Sequence, residues 1–347
     1  MDRIVDAPAS IADETELERL LATPSPALVA DLAAGTGDLV VLGAGGKMGP
    51  TLCMLAAHAL AEGGRTDRSV IAVSRWSDDG VRRRLEASGV RTVAFDLLGD
   101  RPYDELPDAA DVVFMVGAKF GGAGNPAPLW QTNAVVAGMA ARRYRGSRIA
   151  CFSTGNVYPF VDPSGGGSTE RDAVGPVGEY AMSTLGRERV MTYAAQRYGT
   201  PTTLIRLNYA VEPRYGVLAD ICAAVRDGRP IEAGHVNVVW QGYANEVALR
   251  SLTVATPEVE ILNLTGPETL SVRALAEAAG EDLGVAPVLT GSASGTALLN
   301  NAARCHELFG PPGILAPTLL RWQTDWVRRG GVLWDKPTKF QVRDGRF

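Results

Sequence analysis

A chain of 347 residues with 46% hydrophobic side chains can bury a large core and is long enough for two units. Its formal net charge of −5, with no local run of Lys and Arg, excludes a basic field for a phosphate backbone, so no nucleic-acid partner is expected. The opening "MDRIVDAPASIADETELERLL" has acids where a signal peptide needs an apolar core. No later segment approaches the roughly 18 apolar residues of a membrane span, so a soluble, cytoplasmic protein with no membrane partner is expected.

In chain order, residues 1–37 read as an extension, a packing arm without chemistry. It holds one helix in "ETELERLLA" and another opening at "SPALVADLAA", where Ser25 can cap and Pro26 can occupy the first helical position. From Asp38 the pattern changes to short apolar runs, "DLVVLG", "SVIAVS", "RTVAFD", "DVVFMVG" and "SRIACFS", separated by helix-like segments. That alternation predicts an α/β fold with a parallel sheet covered by helices on both faces. A further run, "TTLIRLNYA", is followed by mixed segments to "EILNLTG" and a helix in "SVRALAEAAGEDLG". "PSGGGS", Pro163 to Ser168, reads as a flexible surface loop. Trp322, Trp326 and Trp334 read as docking residues of a C-terminal segment. Cys53, Cys151, Cys222 and Cys305 contain no CxxC pair, and His58, His235 and His306 are equally dispersed, so these seven read as packing or surface residues and no metal site is expected.

The stretch "LVVLGAGGKMGPTLCMLAAHAL" carries the strongest local chemistry. Gly43, Gly46 and Gly49, with Lys47 and Met48 between them, fall directly after a strand and at the head of an apolar helix. Glycines there permit a tight turn and let backbone N–H groups approach a pyrophosphate at the positive helix end. In this context the loop predicts dinucleotide binding rather than a plain strand-to-helix turn. Lys47 either faces solvent or adds charge near the phosphates. At the end of the second run, "VIAVSRWSD" offers Ser74 and Arg75 where an NAD-selective site usually presents an acid to the adenosine ribose. A guanidinium and a hydroxyl suit a 2′-phosphate, so NADP is the expected cofactor, with NAD as the alternative.

Several ordered motifs between Leu39 and Gly284 together resemble the extended short-chain dehydrogenase/reductases, the NAD-dependent epimerase/dehydratase family. "GAGGKMG" is similar to that family's GxxGxxG, "FDLLGD" to its adenine-contacting Asp-Leu, and "DVVFMVGAK" to its fourth strand. "FSTGNVYP" resembles its S-[ST]-x-x-V-Y-G, "EYAMSTLGRE" its Y-x-x-S-K-x-x-x-E, "LIRLNYA" its L-R-x-x-N-x-Y-G, and "LNLTGPETLSVRALAE" its N-x-G-x-x-x-x-S-x-x-E-L. The resemblance implies a Rossmann-like doubly wound domain over 38–207, joined by part of 236–264. A smaller C-terminal substrate-binding domain and tail would fill 208–347. It implies Tyr180 as proton donor or acceptor, Thr154 as the hydroxyl that orients the substrate oxygen, Asp96 and Leu97 near adenine, and Gly117 and Ala118 near the cofactor ribose. Asn156 and Asn208 would face a sugar-like substrate, and Arg214 would take its phosphate or carboxylate unless it serves a salt bridge. Relatives pair as homodimers through two helices, one of which would carry Tyr180.

One element of the resemblance fails, because the family's lysine falls on Thr184. A unit charge at about 4 Å in an effective dielectric near 20 is worth roughly 4 kcal/mol, or about three pKa units. Without it the phenol is expected to stay protonated at neutral pH, a usable acid and a poor base, which biases the site toward carbonyl reduction. Lys119, in the glycine-rich "GAKFGGAGN", is either a substitute cation near Tyr180 or a substrate anion, or a surface lysine. Gly155 and Asn156 follow Thr154, so the Asp-Glu pair of sugar dehydratases is absent. The expected activity is therefore an NAD(P)-dependent oxidoreductase or epimerase on a hydroxyl or keto group of a sugar-like or nucleotide-sugar substrate. The alternative is a cofactor-binding protein that uses the fold as a sensor or partner platform.

Overall fold

The apolar runs become strands in the computed structural model, which describes residues 7–120, 124–292 and 294–346. They are β1 (Leu39–Leu42), β2 (Val70–Ser74), β3 (Arg91–Ala94), β4 (Asp111–Phe114), β5 (Arg148–Thr154) and β6 (Thr202–Leu207). A seventh strand, Glu260–Leu264, pairs with β6. All neighbours run parallel, in the order Glu260–Leu264, β6, β5, β4, β1, β2, β3. Every side chain of β1 and β4 is buried, as a sheet covered on both faces requires. Along β1 the period of two sends Leu39 and Val41 into one core, and Val40 and Leu42 into the other. The strand order reverses between β1 and β4, and a crevice opens beyond their carboxyl ends at such a switch point.

The chain after β6 builds a smaller unit with its own core. Short strand pairs join Ala210–Val211 to Val239–Trp240, His235–Val236 to Leu270–Ser271, and Pro230–Glu232 to Val288–Thr290. Helices Val217–Arg226, Val272–Leu283 and Ala316–Arg328 bury Ile221, Leu275, Leu319 and Trp322 among them. Trp322 meets Trp240 edge-on at 5.4 Å and donates its indole N–H to Pro8 O. The N-terminal arm forms α1 (Glu14–Leu21), capped by Asp13, and α2 (Pro26–Ala33), where Ser25 Oγ accepts from Leu28 N at 3.1 Å. Leu17 and Leu21 enter the core of the smaller unit, and Leu28 and Leu32 enter a core of the large sheet, so the arm ties the two together.

The glycine-rich Pro163–Ser168 segment differs from its expectation as a flexible loop. Ser168 is buried, its N–H donates to Leu299 O, and its carbonyl accepts from Asn301 N. Its glycines serve close approach, since a side chain on Gly167 would collide with the Asn300 backbone. The final segment crosses the smaller unit without regular structure. Trp334 N donates to Arg214 O, and the Trp334 ring stacks on Tyr215. Thr338 gives both its N–H and its hydroxyl to Asp220. The four cysteines are buried and free. Among the described residues no helix is long and apolar enough to cross a membrane.

Candidate active site

Gly43 follows β1 with φ +84, and a Cβ there would lie 2.9 Å from Val116 N, so only glycine lets the turns after β1 and β4 approach this closely. Gly49 opens the helix Gly49–Glu62, and a Cβ on it would penetrate Ala44 O. No side chain caps that helix, which leaves its first N–H groups and its positive end for an anion. Gly43, Gly46, Lys47, Met48 and Gly49 form one end of a cavity of about 580 Å³, within the range of cofactor and ligand sites. A dinucleotide's pyrophosphate fits this cradle, since the backbone is bare where it would lie.

The other walls come from the ends of neighbouring strands. Gly117, Ala118 and Lys119 arrive after β4, Thr154 and Asn156 from β5, and Asn208 after β6. Tyr180 enters from the 21-residue helix Gly178–Tyr198. Thr154 Oγ1 accepts from Asn156 N at 3.2 Å and is 3.3 Å from Asn156 Oδ1, which fixes the hydroxyl at the rim. Beneath it, Ser153 and Arg206 hold Glu188, with Arg206 forked on the carboxylate at 2.9 and 2.7 Å. This buried pair locks the tyrosine helix to β5 and β6.

The glycine cradle, the tyrosine helix and the strand order coincide with one family. The model of the NAD dependent epimerase/dehydratase family matches residues 39–237, more than half of the chain. The chain belongs to that family. It is therefore an NAD(P)-dependent enzyme of the extended short-chain dehydrogenase/reductase type. No curated protein matches the chain significantly. Among solved structures, MoeE5 in complex with UDP-glucuronic acid and NAD is 20% identical with a TM-score of 0.68, covering 85% of this chain and 100% of its own. The UDP-glucuronic acid 4-epimerase from Bacillus cereus in complex with NAD is 15% identical with a TM-score of 0.69, covering 85% and 97%. The dTDP-glucose 4,6-dehydratase from Bacillus anthracis str. Ames in complex with NAD is 14% identical, again with a TM-score of 0.69 and coverage of 85% and 97%. At these identities the likeness is one of fold.

This epimerase/dehydratase-family chain departs from the pattern at Thr184. Its side chain is buried and Oγ1 donates to Tyr180 O at 2.9 Å, so it is spent on its own helix. Lys119 does reach the neighbourhood, with Nζ 5.9 Å from the Tyr180 ring centroid while donating to Thr338 O at 2.6 Å. Lys47 does not point to solvent; its Nζ stands 3.6 Å over the Tyr215 ring in the cavity wall. Four other expected residues lie outside the cavity walls. Ser74 ends β2 and Arg75 is exposed beside it, while Asp96 Oδ1 accepts from Leu98 N at 3.0 Å and Leu97 is buried, its carbonyl bound by Tyr103. Asp78 caps the helix Asp79–Ala87. Arg214 requires correction as a substrate residue: it is buried between Glu212, Glu14 and Glu18, under the Trp334 ring, and does not line the cavity.

Sequence reasoning missed Arg187, Tyr209 and Thr338, which also line the cavity. Helical spacing could have signalled Arg187, because seven residues from Tyr180 completes two turns and returns to the same face. Nothing local marked Thr338, which reaches the cavity through long-range packing of the tail.

Burial lowers both Lys47 and Lys119 to about 8; Lys336 adds to the effect at Lys47, Lys47 itself at Lys119, and Asp220 opposes both. Lys339 also lowers Lys119. Both ammonium groups are therefore charged on the acid side of about pH 8 and lose charge above it. The affinity for an anionic dinucleotide is expected to fall between about pH 7 and 9, as charge on the cavity wall is lost. Fluorescence titration across that range checks this, and K47M, at the glycine cradle, should flatten the slope. Stability has the opposite dependence. The unfolded lysines hold their protons to a higher pH, so stability rises with pH between the folded and unfolded values.

Proposed function

We propose that this chain is an NAD(P)-dependent oxidoreductase or epimerase acting on a hydroxyl or keto group of a sugar-like, nucleotide-sugar substrate, biased to carbonyl reduction. One observation carries the reading: Tyr180 and Thr154 face the same cavity that the glycine cradle opens into. A cofactor-binding platform without hydride chemistry would have no use for that pair. When bound, the nicotinamide cofactor supplies or accepts the hydride. Thr154 orients the substrate oxygen and the Tyr180 phenol exchanges its proton. Lys119 is the cation on the substrate side, while Asn156 and Asn208 limit how a sugar ring can sit. The ligands of the solved relatives support the substrate class, since UDP-glucuronic acid lies in MoeE5 and the other two are named for nucleotide sugars.

The proposed bias to reduction rests on Thr184, which leaves the position one helical turn after Tyr180 without a cation. Initial rates at neutral pH test it, with a 4-keto nucleotide sugar and NADPH in one direction and the corresponding alcohol and NADP⁺ in the other. Faster reduction is expected; equal or faster oxidation would overturn the bias, and no transfer either way would overturn the reading. For the cofactor we propose NADP ahead of NAD, because exposed Arg75 stands at the end of β2 with no acid in its place. The relatives above were solved with NAD. Arg75→Ala is expected to weaken NADPH about tenfold and leave NADH nearly unchanged, as read by competitive titration. A homodimer is also proposed, through the outer faces of helices Val136–Arg143 and Gly178–Tyr198, where Met139, Met182 and Tyr193 are exposed.

A further inference from the structure

Arg187 is a buried cation with no carboxylate partner among the described residues. Its side chain lies on the tyrosine helix, seven residues after Tyr180, and the residue is only 5% exposed. Nε donates to Asn133 O at 3.0 Å, Nη1 to Phe152 O at 2.7 Å and Nη2 to Asn133 Oδ1 at 3.0 Å. These acceptors are neutral, and they use three of the five guanidinium N–H groups. The neighbouring acid, Glu188, is committed to Arg206 and Ser153. Burial lowers the Arg187 pKa, with Cys151, Tyr180 and Glu188 opposing. An uncompensated buried charge is costly unless something in the working enzyme offsets it.

The surroundings open that charge to the cavity. Arg187 lines it, and Gly117 stands where any side chain would cover the guanidinium: a Cβ there would lie 3.0 Å from Nη2 and 3.6 Å from Nη1. Asn133, which receives two of the Arg187 hydrogen bonds, sits in a π-helical turn over Gln131–Val135, a geometry frequent at functional sites. Its amide clamps the loop after β4, accepting from Ala118 N and donating to Ala118 O, both at 2.9 Å. A further donation to Ser183 Oγ at 2.9 Å ties the same amide to the tyrosine helix.

We propose that Arg187 takes the place of the absent lysine as the fixed cation of this site, holding the nicotinamide half of the cofactor beside Gly117 and locking the Gly117–Ala118 loop through Asn133. The assignment rests on the proposed use of a nicotinamide cofactor. Lys119 then serves the substrate and the tail, and Arg187 the cofactor.

NADH binding to the full chain, followed by cofactor fluorescence, tests it without need of a substrate. Arg187→Met is expected to weaken NADH at least tenfold, Arg187→Lys to stay within about threefold of wild type, and Thr184→Lys added to R187M to restore most of the loss. A role in packing alone would not be rescued by a charge introduced at residue 184. An R187M protein that binds NADH like wild type would overturn the assignment, as would a loss that neither lysine relieves. Thr184→Lys in the otherwise wild-type chain decides the matter even if R187M fails to fold. With the role already filled it should change NADH binding less than twofold, whereas a tenfold gain would show the position to be vacant and overturn the proposal. Failure of the wild-type chain to bind would overturn the cofactor reading along with this one; wild-type binding with an indifferent R187M would overturn this one alone.

Discussion

Tyr180→Phe is expected to lower turnover by about 10²- to 10⁴-fold, the range for loss of one positioned acid–base group, while cofactor affinity stays close to wild type. Tyr180 lines the same cavity as the glycine cradle, and removal of one oxygen leaves the helix and its Glu188–Arg206 anchor untouched. Rates measured with saturating NADPH and a 4-keto nucleotide sugar check this. A fall confined to kcat assigns the phenol to the proton transfer. A fall confined to affinity would make Tyr180 a binding residue and leave the proton without a donor.

Gly49→Val acts at the glycine cradle and should remove cofactor binding rather than chemistry. Its Cβ would enter the space of Ala44 O, so either the turn or the start of the helix Gly49–Glu62 must move. Overpacking costs of roughly 1–3 kcal/mol correspond to about 5- to 150-fold in affinity when the displaced backbone is the ligand's own cradle. Titration with NADPH, alongside a thermal unfolding curve, separates loss of the cradle from loss of the fold. Retention of wild-type affinity in a folded G49V protein would place the cofactor elsewhere.

The large sheet was legible because its strands are buried on both faces and so read as continuous apolar runs, from "DLVVLG" to "TTLIRLNYA". The glycine turn after β1 was legible for a different reason: a turn that needs glycine at Gly43 and Gly49 leaves those letters in the sequence. What escaped was set by long-range contact. Arg214 has the residue type of an anion binder, yet Glu14 and Glu18, some 200 and 196 positions away in sequence, turn it into a structural ion pair. Thr338 and Arg187 reach the cavity through the tail and through the depth of a helix. The glycine run at residues 165–167 has the composition of a linker, but backbone pairing with Leu299 and Asn301 gives the adjoining Ser168 a fixed place.

The most direct test of the account is a titration of cofactor-free protein with NADPH and with NADH, followed by tryptophan quenching and cofactor fluorescence. Saturable binding at one site per chain is expected, tighter for NADPH, lost in Gly49→Val and retained in Tyr180→Phe. Folded protein that binds neither dinucleotide would contradict it, because the glycine cradle, the bare helix end and the buried guanidinium would then have no shared ligand.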